Sequence, residues 1–319
     1  MDTTKLMTDS LAFVKKNRIP FLVLALFTFM CIVRPRFLSP INIFGLFEYM
    51  SGYGIAAVGL TFVLLCGQLD ISLGSVMALT SCVFMLLTPH YGFVPALLAA
   101  LVTGCILGTI TGFFVSFFRL SPFIVSMTMQ IAYRGVALTI TDSKPIQYVD
   151  PVISAMSKTD FFSIPLSFFI FLAVVFASQF VLHRTKFGRN LYVIGGNIKA
   201  ADSMGINVRN HLWAVYIIQG LMAALGGIML MTRTFSASGN TAMDAPLAII
   251  PMVIVGGTVF SGGKGSAVRT LYGVMLMSIA YNAMSMFNLH VNIQQLLRGA
   301  ILLLIIVSDK YMENRLKKI

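Results

Sequence analysis

The chain has 319 residues, of which 57% are hydrophobic and only 11% charged, against about 45–50% and about 25% in a soluble domain, so a water-soluble globule is excluded. The net charge of +12 lies in short loops beside apolar runs, which membrane topology explains and nucleic-acid binding does not. The four cysteines, Cys31, Cys66, Cys82 and Cys105, fall at irregular spacing inside apolar stretches, with no metal-ligand pattern, and read as buried free thiols.

Apolar runs of 18 or more residues recur along the chain, which favours spanning helices over barrel strands of about ten alternating residues. Lipid offers the backbone no hydrogen bonds, so the spans must be helical. Near the start, Lys15, Lys16 and Arg18 precede an apolar stretch, Pro20 to Val33, and Arg34-Pro35-Arg36 follows where a cleavage site would need small residues. This predicts a retained first span. In chain order the pattern predicts ten spans, at about 20–33, 45–66, 71–88, 93–118, 121–140, 161–182, 212–231, 246–260, 266–288 and 292–308. With the N-terminus inside, 16 of the 23 Lys and Arg fall on the inner side and five on the outer (Arg34, Arg36, Lys144, Lys158, Arg233). That asymmetry predicts both termini inside. The expected fold class is therefore all-α, a polytopic membrane protein with about ten transmembrane helices, N-in and C-in.

The fourth span carries Gly104, Gly108 and Gly112 at intervals of four, one helix face on which another helix can approach closely. The outer loops from Asp142 to Asp160 and from Thr232 to Ala245 read either as a platform for an extracytoplasmic partner or as ordinary solvated loops.

Between two apolar segments, His183 to His211 forms the longest polar interruption, with Arg184, Lys186, Arg189, Lys199 and Arg209 against one acid, Asp202. Within it Asn197 can cap a helix over Ile198 to Met204, and Gly205 can end it in the left-handed conformation. Fewer than two turns are marginal alone in water, so something must pack on this helix, and a cytoplasmic partner protein is the natural candidate.

The glycine-rich GGTVFSGGKGS, residues 256–266, does not match a phosphate loop: Thr258 and Gly265 stand where a Gly and a Ser or Thr are needed. ATP used for transport must therefore bind another subunit, and the glycines read as a tight turn breaking a span at the inner face. A similar break occurs at CGQLDISLGS, residues 66–75, where the Asp70 carboxylate is placed to cap the backbone at Ser72 or Leu73. Glu48, Arg134 and Arg298 lie within or at the edge of spans and must face a cavity, a partner or the interface. Glu48 paired with Arg134 or Arg298 is one arrangement, and separate snorkelling to the surface is the other. Gln130, Asn282, Gln294 and Gln295 lie at similar depth and suit either a path for a hydroxyl-rich solute or interhelical hydrogen bonds. The sequence holds no nucleophile triad, paired carboxylates or metal cluster of the kind an enzyme site requires.

Four stretches, IAAVGLTFVLLCGQLDISLGS (55–75), SPFIVSMTM with IAYRGVAL (121–138), FGRNLYVIGGNIKAADSMGINV (187–208) and VIVGGTVFSGGKGS (253–266), come in an order that resembles the permease subunits of ribose-type ABC sugar importers, the branched-chain amino acid/ribose permease family. The likeness covers nearly the whole chain. It implies a type II ABC importer-like permease in which residues 1–319 form one transmembrane domain and 183–211 its cytoplasmic coupling loop, in a bacterial inner membrane. It also implies cytoplasmic ATP-binding cassette ATPase subunits that carry ATP and Mg, a second permease copy or paralogue, and an extracytoplasmic sugar-binding protein. The coupling segment falls on Gly196, Asn197, Ala200, Ala201, Gly205, Ile206 and Val208, and the family's acidic turn position on Asp70. Gln68, Leu69 and Pro251 depart from the family pattern. The function expected is inward passage of a monosaccharide or related polyol, with Glu48, Gln130, Arg134, Asn282, Gln295 and Arg298 as candidates for the path. The cofactor expectation is none in this chain, and no enzymatic role. An ion-coupled secondary transporter is the rival class, for which Glu48 is the one serious acidic candidate.

Overall fold

The computed structural model describes residues 18–158, 160–161, 164–232 and 234–316. Lys5, Lys15, Lys16, Arg233, Lys317 and Lys318, which enter the topology argument, lie outside the described residues. Helix α1 spans Arg18–Val33, and a 3-10 turn at Pro35–Leu38 leads to α2 (Pro40–Leu65). Then come α3 (Leu73–Tyr91), α4 (Phe93–Ser116), α5 (Pro122–Ile140), a short α6 (Pro151–Lys158) and α7 (Leu166–Arg184). The polar interruption contains α8 (Lys186–Gly196) and α9 (Ile198–Ser203), followed by α10 (Val208–Met231), α11 (Ala245–Val255), α12 (Ala267–Met286) and α13 (Val291–Leu316). Pro40 and Pro122 open α2 and α5 at positions where a missing N–H costs no helical hydrogen bond. Gly92, at φ 79°, makes the one-residue turn between α3 and α4.

Six helices, α2, α3, α4, α5, α7 and α10, are long and apolar enough to cross a membrane. The shorter apolar helices Ile19–Val33, Ala245–Val255 and Val291–Val307 fall where three further spans were expected, and α12, of 20 residues, falls at a fourth. Helix α11 stops at Val255, before the expected 260, and α13 runs on to Leu316, past the expected 308. The loop over 142–160 contains α6 and a strand β1 (Ile146–Gln147), which pairs antiparallel with β4 (Ser236–Ala237) and so ties this loop to the 232–244 connection. Between them in sequence, β2 (Asp160–Phe161) pairs with β3 (Ile164–Pro165).

Helix α2 is the centre of the bundle: 89% of its apolar window is buried, against 22% for α5, which therefore lies at the rim. A helix apolar all round and enclosed on every side is a core helix. Helix α10 runs between α2 and α4, while α7, α11 and α12 close on the other sides of α2. Glycines permit these approaches. A Cβ on Gly104 would stand 2.5 Å from the Gly220 carbonyl oxygen, one on Gly108 would run into the Tyr216 carbonyl, and one on Gly112 would stand 2.7 Å from Tyr216 Cβ. The glycine face of the fourth span is thus a packing face against α10. On the opposite side of α10, Gly52 and Gly226 face each other between α2 and α10.

Lys and Arg are absent from this seam, and what polar groups the helices bury are mostly returned to their own backbones. Thr61, Thr80, Ser81, Thr88, Thr111 and Ser116 each donate to the carbonyl four residues earlier, which satisfies a hydroxyl inside lipid without a partner helix. The four cysteines are free thiols, two buried and two half-buried.

Substituting Gly108→Val forces a β-branched side chain onto the α10 backbone, and overpacking of this kind costs about 1–3 kcal/mol or more. Gly135→Ala on α5 has no atom within 4 Å of the new Cβ. The expected outcome is a lowered melting temperature in detergent and loss of monodispersity for Gly108→Val and wild-type behaviour for Gly135→Ala; equal behaviour of the two would contradict the seam.

Candidate functional site

The segment between α7 and α10 is more ordered than its polarity predicts. It holds two helices where one short helix is expected, because α8 carries only three buried positions, Gly188, Leu191 and Ile194, among polar ones. Thr185 caps α8 by accepting from the Gly188 N–H at 3.1 Å. Asn197 caps α9 through the Ala200 N–H at 3.1 Å, and Gly205, at φ 77°, ends it, with the Ile206 N–H donating to the Ala201 carbonyl at 3.1 Å. The expected support from a partner protein is supplied in part by the chain itself. Ala201 is turned inward and fully buried, and α9 packs on α8 and α10. The stack of Phe187 on His211 and the 3.1 Å contact between the Asn190 amide and His211 Nε2 join α8 to the start of α10. Of the seven residues expected to carry coupling, Gly196, Asn197, Ala200 and Gly205 are exposed, Ile206 and Val208 are half-buried and Ala201 is not accessible. Ile198 and Met204 add exposed apolar side chains to the same short helix.

Behind α8 lies a junction made almost wholly of backbone. The Gly263 N–H donates to the Leu65 carbonyl at the end of α2, at 2.9 Å. Gly195, near the end of α8, packs so closely on this bond that an added Cβ would meet both the Leu65 oxygen and the Gly263 nitrogen. A Cβ on Gly262 would stand 2.7 Å from the Gly67 nitrogen, and Gly67, Gly262 and Gly263 have φ of 68°, 88° and 75°, which a side chain resists. Tyr192 on α8 donates to the Gly265 carbonyl at 2.9 Å. The two glycine breaks of the sequence therefore meet each other, and both meet α8.

On the other side of α9 a groove of about 930 Å³ opens between it and the turn from α4 to α5. Gln68, Arg119, Lys199, Asp202 and Arg209 line it, and the Arg209 guanidinium lies over the Phe117 ring at 5.2 Å.

The polar residues singled out within the spans are distributed over several sites. Glu48 is buried on α2. Arg298 on α13 pairs with Asp244, on the connection before α11, at 3.6 Å. Arg134 on α5 donates from one terminal nitrogen to the Gly239 carbonyl at 2.6 Å. Both arginines thus hold the 232–244 connection, Arg134 at Gly239 in its middle and Arg298 at its last residue, Asp244. Asn282 on α12 and Asn42 on α2 exchange hydrogen bonds, with the Asn282 amide donating at 2.8 Å. Ser75 donates to the backbone carbonyl of Gln130 at 2.7 Å, while Gln295 is exposed on α13. Sequence reasoning missed Tyr49, Tyr53 and Tyr281, whose rings cluster beside Arg298: Tyr49 and Tyr53 lie 4.4 Å apart, and the guanidinium stands 4.9 Å over Tyr281. The four-residue spacing of Tyr49 and Tyr53 was the available signal.

The model of the family described as branched-chain amino acid transport system / permease component matches residues 42–306. The chain belongs to this family. The permease is 30% identical over 297 residues to the ribose import permease protein RbsC of Escherichia coli (strain K12), covering 90% of this chain and 91% of that one. It is 32% identical over 295 residues to the ribose import permease protein RbsC of Bacillus subtilis (strain 168), covering 91% and 92%. The L-arabinose ABC transporter permease protein AraH of Azospirillum brasilense is 30% identical over 303 residues, covering 95% of this chain and 89% of that one. No solved structure matches the permease.

In the break between α2 and α3 of the permease, Asp70 accepts from the Ser72 N–H at 2.8 Å and the Ser72 hydroxyl at 2.6 Å. This is the capping role its position predicts. Burial pushes the Asp70 carboxyl up to about 6, and the two hydrogen bonds from Ser72 act in the opposite direction. The titratable side chains that interact with it are Tyr133 and Tyr216. Because the folded carboxyl keeps its proton to a higher pH than an unfolded one, its contribution to stability is complete below about pH 4 and is lost as pH rises through about 6. Asp70→Asn removes that dependence while keeping an acceptor for Ser72. Melting curves of both proteins in detergent from about pH 5 to about pH 7.5 should show the wild type losing stability relative to Asp70→Asn; parallel curves would contradict the assignment.

Proposed function

We propose that this chain is the membrane-spanning subunit of an ATP-binding cassette importer that carries a monosaccharide, a ribose-like pentose, a hexose or a related polyol, inward across a bacterial inner membrane. The observation that carries the reading is family membership over residues 42–306, joined to relatives named as ribose and L-arabinose permeases. ATP and its Mg belong to separate cytoplasmic ATPase subunits. A second copy or a paralogue completes the permease pair, and an extracytoplasmic binding protein delivers the sugar. The chain crosses the membrane about ten times with both termini inside, as the distribution of basic residues supports.

In this reading the 183–211 segment is the contact with the ATPase. Helix α8 stands on the glycine junction and α9 packs on α8, so a force on the exposed ridge of α9 passes through α8 to the end of α2, the most enclosed helix, and to the segment leading into α12. Close-packed helices shift between discrete arrangements instead of deforming smoothly, which is what exchange between inner and outer openings requires. The path itself runs along the side chains at Glu48, Gln130, Arg134, Asn282, Gln295 and Arg298, polar groups that lipid does not tolerate.

Two experiments test this. Proteoliposomes holding the permease with its ATPase and binding protein should accumulate sugar on ATP. With the permease alone they should neither hydrolyse ATP nor accumulate sugar on a proton or sodium gradient, and gradient-driven accumulation would refute the reading. For the orientation, in a cysteine-free background Lys144→Cys should react with an impermeant thiol reagent added to intact cells and Lys199→Cys should not; labelling at position 199 would invert the topology.

A further inference from the structure

The tyrosine cluster beside the Asp244–Arg298 pair lies at a depth where lipid cannot be its neighbour. Asp244 stands at the N-cap position of α11, whose 11 residues rise about 16 Å before the glycine break that follows Val255, roughly half of a hydrocarbon core of about 30 Å. Arg298 lies seven residues into α13 from Val291, about 10 Å of helix from its other end. Yet the Asp244 side chain is 41% exposed and that of Arg298 19%. An ion pair open to this degree at mid-depth is costly against acyl chains, so this face borders a water-filled space.

Three hydrogen-bonding atoms of the same cluster, the Tyr49 hydroxyl, the Tyr281 hydroxyl and Arg298 Nε, are buried and have no partner among the described residues. Most hydroxyls elsewhere in the bundle find backbone carbonyls, so this concentration is unlike the rest of the molecule. Buried donors and acceptors left without partners destabilise a fold unless something bonds them. The rings that carry them stand in a set: Tyr49 is 6.5 Å from Tyr281, edge to face, and 4.4 Å from Tyr53. A tyrosine offers an apolar face and a polar tip, and a carboxylate with a guanidinium adds strong, directional hydrogen bonds. A sugar ring has the matching surface, C–H faces bordered by hydroxyls.

We infer that Tyr49, Tyr281, Asp244 and Arg298 form the site at which a neutral polyhydroxylated ring touches this chain during passage, with the tyrosine hydroxyls and Arg298 Nε bonding its hydroxyls. This rests on the function proposed above and assigns that function a place. The site holds only one side of the solute, because its charged pair opens at the surface of the single chain. It favours a neutral solute, since acid and base already neutralise each other.

The test uses the complete importer, permease, ATPase and binding protein, in proteoliposomes, with D-ribose, L-arabinose, D-xylose, D-galactose and ribitol as probes. Tyr49→Phe and Tyr281→Phe remove only hydroxyls that no group among the described residues bonds, and keep both rings. Each is expected to lower the sugar moved per ATP hydrolysed about five- to tenfold. Wild-type uptake per ATP in both variants would overturn the inference. If the unaltered importer carries none of the probes, it is the proposed function that fails, and the inference falls with it. Should a Phe variant not assemble, Asp244→Cys in the cysteine-free background decides. Reaction with a water-soluble thiol reagent supports a wet face at this depth, and protection from it overturns one.

Discussion

The hydrogen bond from Gly263 to the Leu65 carbonyl is the contact on which the rest of the permease depends. It joins the end of the most enclosed helix to the second glycine break, and Gly195 covers it so tightly that no side chain fits. A helix end inside or beside lipid leaves carbonyls that must find donors. Here the donor comes from another break 198 residues along the chain, so two interruptions that would each be costly alone satisfy one another. Because the contact is backbone to backbone, it has no rotamers through which to yield. Movement of α8 therefore reaches α2 and the start of α12 with little slack.

The same economy of side chains runs up the bundle. Helix α10 meets α4 through Gly104, Gly108 and Gly220, and meets α2 through Gly52 and Gly226. Without a hydrophobic force between helices in lipid, such close contact supplies the packing energy. Polar side chains are then concentrated in two places: the segment from α8 to the start of α10, and the region where Arg134 and Arg298 hold the 232–244 connection.

Much of this was legible in the sequence where the signal is local. Apolar runs located the helices, six of which are long and apolar enough to cross a membrane, the four-residue glycine spacing marked the α4 packing face, and Asn197, Gly205 and Asp70 cap where their positions imply. What was not legible depends on partners far apart in the chain. Helix α8 passes for loop because its buried face is only Gly188, Leu191 and Ile194. Ala201 reads as part of a partner-facing surface, and only the packing of α9 on α8 and α10 shows it turned inward. Arg298 was weighed either as a partner of Glu48 or as snorkelling to the surface, whereas the Asp244 it pairs with sits just outside a span and is brought in by the short α11. The tyrosines were overlooked because an aromatic residue in an apolar helix looks like core until its hydroxyl is found unpaired.

The claim that the 183–211 segment receives the work of ATP is tested most directly at Ala200, which is exposed on α9 and so can be changed without disturbing the fold. Ala200→Arg places a long cation on the face held to meet the ATPase. Pull-down through a tagged permease, with ATP hydrolysis and sugar uptake measured on the same preparation, should show the ATPase lost, or retained with hydrolysis no longer tied to uptake. Full assembly with normal uptake in that variant would contradict the account.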